Sequence, residues 1–280
     1  MIVYYNGTYM EESEVCFSPN DRGLLFADGV YEVIHSYRGS LFRPEEHLAR
    51  LSRSLDALRI RFTEIDSIGR VCRELVARND LASGEALLYL QITRGAYPRS
   101  HAFPPESVRP TVYVSPEEFQ PRTAEAERGV GAVLASDTRW ARCDVKSLSL
   151  LANVLALQEA KERGAWEALF VRDGLVIEGT RSNVAGVAGG RFVTPPESNY
   201  MLSGVTRLVV LELCRDLSIP AEERQISEAE LFRFDELMLM GTGSEIIPIT
   251  SVNERKIGSG AVGQLTRRLQ RELRAATGAS

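Results

Sequence analysis

Lysine is scarce in this chain of 280 residues, which has 33 basic residues in total. Only three of them are lysines, Lys146, Lys161 and Lys256, so any lysine-dependent chemistry has three candidate positions. The sequence also lacks an apolar run approaching the roughly 18–20 residues that cross a bilayer, so no membrane-spanning helix is expected. Residues 1–10 contain no basic segment followed by an apolar run, so no secretory signal is expected either.

Clustered positive charge is absent as well. The net charge is −5 and the sequence pI is about 5.5. Binding to nucleic-acid phosphates requires clustered Lys and Arg, so a nucleic-acid partner is not expected.

The four cysteines lie far apart and form no Cys-x-x-Cys pair. They are Cys16, Cys72, Cys143 and Cys214. Neither a zinc site nor a disulfide framework is supported, and no metal is expected. This cysteine usage fits a reducing cytoplasm best.

Apolar and helical spacing patterns predict an α+β protein with two domains. An N-terminal domain is predicted at 1–118, a linker at 119–123 where proline and charge replace the pattern, and a C-terminal domain at 124–280. The predicted strands are 2–5, 32–37, 86–93, 110–114, 130–136, 236–240 and a series within 166–193. The predicted helices are one opening at Pro44, then 66–79, 150–163, 205–217 and 261–276.

Lys146 differs from the other two lysines in its surroundings. Lys256 lies in a polar turn and Lys161 on the polar side of a helix, where a solvated charge is expected. Lys146 lies between a strand-like segment and a long apolar helix. Partial burial there would lower its pKa and make its amine nucleophilic. A lysine whose charged end reaches solvent is the alternative at this stage.

Glu178 ends a strand of alternating apolar character and is followed by Gly179. A poorly solvated carboxylate requires a cation or a hydrogen-bond donor, and a protonated pyridine nitrogen would serve. A surface glutamate at a strand end is the alternative.

Two loops of small residues are candidate phosphate sites. Ser203 and Gly204 precede a helix, whose free N–H groups attract anions, and the hydroxyl of Thr206 can add a bond. A second such loop is Gly241-Thr242-Gly243-Ser244. Loops of this kind often cap helices without binding anything.

Arg99 and His101 can project together if their segment is extended. A guanidinium with a neighbouring imidazole suits recognition of a carboxylate. An exposed basic turn is the alternative.

The order of the motifs resembles that of the fold-type IV pyridoxal-phosphate (PLP) aminotransferases, from about residue 5 to residue 269. The motifs are Asp21-Arg22-Gly23, Asp28-Gly29-Val30-Tyr31-Glu32, Glu46-His47, Arg50-Leu51, Thr93-Arg94-Gly95, Arg139-Trp140, Lys146-Ser147-Leu148, Glu178-Gly179, Ser182-Asn183 and Gly204-Val205-Thr206-Arg207. The stretch at Asp28 and the pair Arg99 and His101 favour the D-amino-acid aminotransferases within that class. The resemblance implies a small N-terminal α/β domain and a larger C-terminal domain, mixed and β-barrel-like, with helices.

The resemblance also implies roles for individual residues. Lys146 would be catalytic, holding the cofactor as a Schiff base and moving the substrate proton. The implied cofactor-binding residues are Arg50, Lys146, Glu178, Leu202, Val205, Thr206 and Thr242, and those implied for the substrate carboxylate are Tyr31, Arg99 and His101. In the family Arg99 and His101 reach in from the second subunit, so a homodimer is implied.

The implied activity is transfer of the amino group of D-amino acids such as D-alanine to 2-oxo acids such as 2-oxoglutarate. A branched-chain L-aminotransferase, an aminodeoxychorismate lyase of the same fold type and a noncatalytic PLP- or phosphate-binding protein are the alternatives. The chain departs from the family pattern at three positions. Arg181 stands where a small hydroxyl residue is expected, and Gly241 and Gly243 replace hydroxyl residues.

Overall fold

In the computed structural model, which describes residues 1–278, backbone contacts divide the chain into two units. One comprises Met1–Gln120 together with the short segment Val145–Ser149. The other comprises Pro121–Asp144 and the chain from Leu150 onward. Lys146 therefore belongs to the N-terminal unit, although the chain on either side of its segment belongs to the second.

The N-terminal unit is built on one antiparallel sheet. Its strands are β1 (Ile2–Tyr5), β2 (Thr8–Glu11), β3 (Gly29–Tyr37), β4 (Ser40–Leu41), β5 (Glu85–Thr93) and β6 (Thr111–Phe119). Their order across the sheet is β2-β1-β6-β5-β3-β4. Its helices are α1 (Arg22–Phe26), α2 (Pro44–Ala57) and α3 (Ile65–Arg78), with 3-10 turns at Glu12–Glu14 and Leu81–Ser83.

Helix α2 illustrates how the sequence forms these elements. Pro44 occupies the first turn, where its fixed φ suits a helix, and Glu45 and Glu46 follow at the positive end of the helix dipole. Leu51 and Leu55 are buried in the core that α2 and α3 share with the sheet. Burial of each leucine stabilises the fold by about 1.5–3 kcal/mol. The predicted helix is therefore confirmed, and its apolar side faces the core.

The second unit contains a ten-stranded mixed sheet. Its strands are β7 (Val130–Ser136), β8 (Glu167–Arg172), β9 (Leu175–Gly179), β10 (Asn183–Ala188), β11 (Arg191–Thr194), β12 (Ala221–Glu223), β13 (Ile226–Ser227), β14 (Glu236–Gly241), β15 (Glu245–Val252) and β16 (Arg255–Lys256). Their order is β12-β11-β10-β14-β15-β7-β8-β9-β13, with β16 beside β15. Only 180–182 join β9 to β10, which lie far apart in this order, so the sheet curls back on itself. The predicted mixed, barrel-like C-terminal fold is confirmed.

Helices accompany this sheet at several points along the chain. They are α4 (Thr123–Arg128), α5 (Leu151–Glu162), α6 (Val205–Asp216), α7 (Glu228–Leu231) and α8 (Gln264–Thr277). The predicted helices at 150–163, 205–217 and 261–276 correspond to α5, α6 and α8. No helix within residues 1–278 is long and apolar enough to cross a membrane.

Two strands with internal proline differ from the sequence prediction. Strand β6 continues to Phe119, past the predicted end at Val114, and β15 was not predicted at all. At Pro116 β6 pairs only with β5, and at Pro248 itself β15 pairs only with β14, while pairing with β7 begins at Ile249. A proline is tolerated there because its missing N–H leaves no neighbouring strand unpaired.

The chain first passes between the units at Gln120 and Pro121, inside the predicted linker. Since β6 ends at Phe119 and α4 begins at Thr123, only 120–122 lie outside regular structure there. The assignment of 1–118 and 124–280 as separate domains stays a prediction. It did not include the return of Val145–Ser149 to the N-terminal unit.

Candidate active site

The backbone of Lys146 is held against the start of β3. Its N–H donates to the Ser54 hydroxyl at 3.2 Å, and its carbonyl accepts from the Tyr31 N–H at 3.0 Å. The next residue, Ser147, pairs with Val30 in an isolated β-bridge. These bonds fix the position from which the lysine side chain extends.

The amine of Lys146 lies 4.2 Å from the centre of the Tyr31 ring. The side chain is partly buried, whereas Lys161 and Lys256 are both exposed. Within residues 1–278, no carboxylate forms an ion pair with Lys146. Lys146 is therefore the lysine whose amine best suits covalent chemistry.

Arg50 of α2 is fixed by Glu32 of β3. Both are buried, and the Nε and Nη2 of Arg50 donate to the two Glu32 oxygens at 2.9 and 2.7 Å. His47, one turn earlier, lies 3.1 Å from the same carboxylate. Burial opposes ionisation of Glu32, but the charge of Arg50 and the contact with His47 outweigh it and hold the pKa of Glu32 well below its usual range. Arg50 is thus a guanidinium held in one orientation.

Arg99 and His101 lie together on the ring of Phe26. The Arg99 guanidinium carbon is 5.2 Å from the ring centre, and the His101 ring centre is 5.4 Å away. Both residues are exposed. Within the described part of the N-terminal unit, neither forms a hydrogen bond, ion pair or ring contact with Tyr31 or Lys146. The structure therefore brings the pair together on Phe26 without bonding it to those two residues of the same chain.

A buried network anchors the segment that carries Arg99 and His101. The Nη1 of Arg22 donates to the carbonyls of Ser100 and Ala102 at 2.5 and 3.2 Å. The Nε of Arg22 donates to Asp28 at 2.8 Å, and Asp28 also accepts two bonds from Arg94.

Burial opposes ionisation of Asp28, but the bonds from Arg94 and Arg22 outweigh it and lower its pKa. Asp28, Arg94 and Arg22 belong to the motifs that resemble the family, but their role in anchoring this segment was not predicted from the sequence. Their partners are distant in the chain, so spacing alone carries no sign of it.

Replacing Arg22 by methionine is expected to loosen the segment 99–101. Two carbonyls lose a charged donor, and bonds of this kind contribute about 1.5–3 kcal/mol each. The KM for the amino-acid substrate that the family resemblance implies should therefore rise about tenfold or more, with a smaller change in kcat. Steady-state kinetics check this. Arg61→Met is the matched control, since Arg61 forms an exposed ion pair with Glu106 at 2.8 Å. Equal KM values for the two variants would contradict the anchoring role.

Glu178 in the second unit is buried at the end of β9 with donors on both carboxylate oxygens. Oε1 accepts from the Nη1 of Arg139 at 2.5 Å. Oε2 accepts from the Asn183 side chain and from the Leu202 N–H, both at 3.2 Å. The predicted need for a cationic partner is met by Arg139, which the sequence analysis did not name as that partner.

Asn183 joins this carboxylate to the start of α6. Its side-chain N–H also donates to the Leu202 carbonyl at 2.9 Å. A Cβ on Gly204 would collide with the Asn183 amide oxygen, so only glycine allows this approach. Val205 and Thr206 open α6 and are buried. Glu178, Leu202 and the helix N-terminus therefore lie close together.

The second small-residue loop lies on the same side of the second unit. A Cβ on Gly241 would lie 3.4 Å from the Arg181 carbonyl and 3.7 Å from Ser182. This places the turn that carries Thr242 beside the three residues joining β9 to β10. The closest approach that glycine relieves is within its own loop, since the same Cβ would lie 2.8 Å from the Ser244 hydroxyl.

The Arg181 side chain is half-exposed. Its guanidinium lies 4.7 Å from the centre of the Trp166 ring, and its Nε is 3.8 Å from Glu167. Buried Glu167 also accepts bonds from Thr180 and Ser182. Arg181 is therefore engaged with a ring and a carboxylate at its own loop.

Each unit carries groups that fit part of a cofactor with an aldehyde, a pyridine ring and a phosphate. A partly buried amine would serve the aldehyde, and a buried carboxylate would serve a protonated ring nitrogen. The N-terminus of α6 would serve a phosphate. The N-terminal unit carries Lys146, Tyr31, Arg50, Arg99 and His101, and the second unit carries Glu178, Leu202, Val205, Thr206 and Thr242.

Comparison with known sequences gives close matches over almost the whole chain. The family model for class IV amino-transferases matches residues 29–252. D-alanine aminotransferase of Bacillus licheniformis is 42% identical over 275 residues, 98% of this chain and 96% of that protein. D-alanine aminotransferase of Staphylococcus epidermidis is 38% identical over 270 residues, 96% of this chain and 95% of that protein.

Comparison with solved structures gives the same kind of enzyme. The branched-chain amino acid aminotransferase of Escherichia coli superposes with a TM-score of 0.92 at 25% identity, covering 100% of this chain and 95% of that one. A second branched-chain amino acid aminotransferase, from T.th. and solved with pyridoxamine 5'-phosphate, gives 0.91 at 26% identity with the same coverage.

Proposed function

Because the chain belongs to the class IV aminotransferase family, we propose that it is a PLP-dependent transaminase acting on D-amino acids and 2-oxo acids. The identity of 36–42% to proteins named D-alanine aminotransferase, over nearly their full length, carries this proposal. Arg99 and His101, the pair expected of that group, support it. D-alanine would give pyruvate, and 2-oxoglutarate would then take up the amino group to give D-glutamate.

When bound, PLP supplies an electron-withdrawing ring that stabilises negative charge at the substrate Cα. Lys146 would hold the cofactor and move the proton at Cα. Glu178 would accept the hydrogen bond of the pyridine nitrogen and keep a proton there. Tyr31 limits the movement of the Lys146 amine, since its ring lies 4.2 Å away.

The phosphate and the substrate carboxylate would be held by separate groups. Arg50, the N–H groups of Val205 and Thr206, and Thr242 would bind the phosphate. Leu202 would pack against the ring. Tyr31, with Arg99 and His101 of the partner subunit, would bind the carboxylate. That contact determines which hydrogen on Cα faces Lys146 and therefore which enantiomer reacts.

The proposed homodimer accounts for the exposure of Arg99 and His101 within one chain. Exposed apolar side chains on α5 are further support, since Leu151, Val154 and Leu155 are 72%, 59% and 62% exposed. We also propose a cytoplasmic location. All four cysteines are free thiols and three of them are buried, as is usual in reducing compartments.

A branched-chain L-aminotransferase is the second candidate, favoured by the TM-scores to the branched-chain enzymes. A paired assay with purified holoenzyme decides between the two. Pyruvate should form from D-alanine and 2-oxoglutarate at least about 100-fold faster, as kcat/KM, than L-leucine is converted, a difference of roughly 2.7 kcal/mol in transition-state binding. Faster turnover of L-leucine would replace the D-specific assignment with the branched-chain one.

A further inference from the structure

Four side chains of the second unit form a row of alternating charges that ends at Glu178. Arg172 donates to Asp137 at 3.1 Å, Asp137 accepts from Arg139 at 2.9 and 3.0 Å, and Arg139 donates to Glu178. The side chain of Asp137 is fully buried, and the Arg139 and Glu178 side chains are 7% and 6% exposed. The row is neutral overall when both carboxylates are ionised.

Arg139 is held from several directions and has little freedom to turn. Two of its nitrogens bind the two oxygens of Asp137, and its Nη2 also donates to the Tyr200 carbonyl at 3.1 Å. Its guanidinium carbon lies 4.2 Å from the centre of the Phe170 ring. Burial opposes its charge, but the bonds to Asp137 and the charge of Glu178 outweigh it and raise the pKa of Arg139. It is a permanent cation in a fixed place.

Glu178 is therefore bonded in a way that favours the ionised form. Oε1 accepts from the guanidinium, and Oε2 accepts from the N–H groups of Asn183 and Leu202. Hydrogen bonds to a carboxylate and a neighbouring opposite charge both stabilise its anion. A carboxylate held in this way accepts hydrogen bonds and does not donate them.

We propose that Arg139 is a positioning residue for Glu178: it keeps the carboxylate ionised and oriented to accept from the pyridine nitrogen. This rests on the proposed function, in which Glu178 holds that nitrogen. Without Arg139 the buried carboxylate loses the cation bonded to its Oε1 and takes up a proton at higher pH. A protonated Glu178 would offer a donor where an acceptor is required.

Stability alone does not account for this arrangement. A buried ion pair is weak support for a fold, because the cost of desolvating both ions offsets their attraction. Well-packed apolar side chains at 139 and 178 would serve the core as well. The pair of Arg139 and Glu178 can orient a carboxylate toward a cationic ring, and apolar residues at these positions could not do so.

A double-mutant cycle with Arg139→Met and Glu178→Gln tests the proposal. For Arg139→Met, kcat should fall on the order of 10- to 100-fold, the range expected for side chains coupled in one ionic network. The KM for D-alanine should change much less. The acidic limb of the kcat–pH profile should move up by about one unit or more, since activity is lost when Glu178 takes up a proton.

Absorbance of the bound cofactor, titrated against pH, gives a readout that does not depend on turnover. Its acidic step should move with the kcat profile in Arg139→Met and be absent from Glu178→Gln. The double variant should be no slower than Glu178→Gln alone. Effects that add, or an absorbance titration identical to that of the wild type, would overturn the proposal.

Arg224→Met is the matched control, because Arg224 also forms a two-bonded ion pair, with Glu230, at 3.0 and 2.5 Å. It should leave both pH titrations unchanged, and a shift there equal to that of Arg139→Met would overturn the proposal. If Arg139→Met does not fold, Arg139→Lys replaces it in the same cycle. Because lysine keeps the positive charge, this variant should keep the acidic limb of the wild-type kcat–pH profile, with a reduced kcat. A wild-type protein without transaminase activity would instead refute the proposed function.

Discussion

Lys146→Ala is expected to lower transamination on the order of 10⁴-fold or more, the loss typical when a residue central to the chemistry is removed. Methionine at the same position should have the same effect, because neither side chain has an amine. Lys161→Ala and Lys256→Ala should leave the rate unchanged.

The structure gives a physical basis for this contrast. Lys146 is partly buried beside the Tyr31 ring and its backbone is bonded on both sides to the N-terminal unit. The amines of Lys161 and Lys256 lie on exposed parts of the second unit. Of the three lysines, Lys146 is the one whose amine is held in a fixed region, where it can meet the same reacting atom in every catalytic cycle.

Rates from D-alanine, together with the visible absorbance of the purified protein, provide the measurement. Wild type and both control variants should be yellow, and Lys146→Ala should lose the absorbance that arises from covalently held cofactor. If Lys146→Ala kept that absorbance, or if a control variant lost it, Lys146 would not be the residue that holds PLP.

Co-expression of two defective variants, Lys146→Ala and Arg99→Ala, is expected to restore activity to about a quarter of the wild-type value. Random pairing makes half of the dimers mixed, and one of the two sites in each mixed dimer is intact. That site combines Lys146 of one subunit with Arg99 of the partner subunit.

The expectation follows from where the structure places Arg99. Arg99 and His101 are exposed on the Phe26 ring and form no hydrogen bond, ion pair or ring contact with Tyr31 or Lys146 in the described part of their own chain. If Arg99 served its own subunit, each mixed dimer would have one site lacking lysine and one lacking arginine. No intact site would then form.

The assay uses D-alanine well below the KM of Arg99→Ala, so that this variant alone contributes little. Arg99→Ala should keep its PLP absorbance while its KM rises sharply. Co-expression of Lys146→Ala with itself under two tags controls for contaminating enzyme. Activity no greater than the sum of the separately expressed variants would refute a shared site, and a monomeric mass in solution would refute the dimer.

Much of the fold follows from local patterns in the sequence. Helices such as α3 and α6 and strands such as β5 and β7 have regular apolar spacing and clear ends, and their bounds lie within one or two residues of those predicted. Strand β15 was not predicted because Pro248 interrupts its apolar pattern. Whether a proline is tolerated depends on which neighbouring strand is missing, which is a property of the assembled sheet.

The candidate site was predicted to a different degree for different residues. Lys146 was singled out by its surroundings, and the remaining roles came from the order of the motifs. The partners that hold these residues were not found, because Glu32, Arg22 and Arg139 act through contacts with residues distant in sequence. Arg181 had no sequence-based explanation, and the structure places it on Trp166 and Glu167.

The segment Val145–Ser149 also bears on the order in which this protein folds during synthesis. Lys146 and Ser54 are joined by a hydrogen bond although 92 residues separate them. When the ribosome has made only residues 1–120, β3 therefore lacks the chain that will lie along its first residues. Closing so long a loop is slow compared with forming a hairpin. The N-terminal unit is complete only once the first part of the second has been made, so Lys146 is among the last residues to reach its place in that unit.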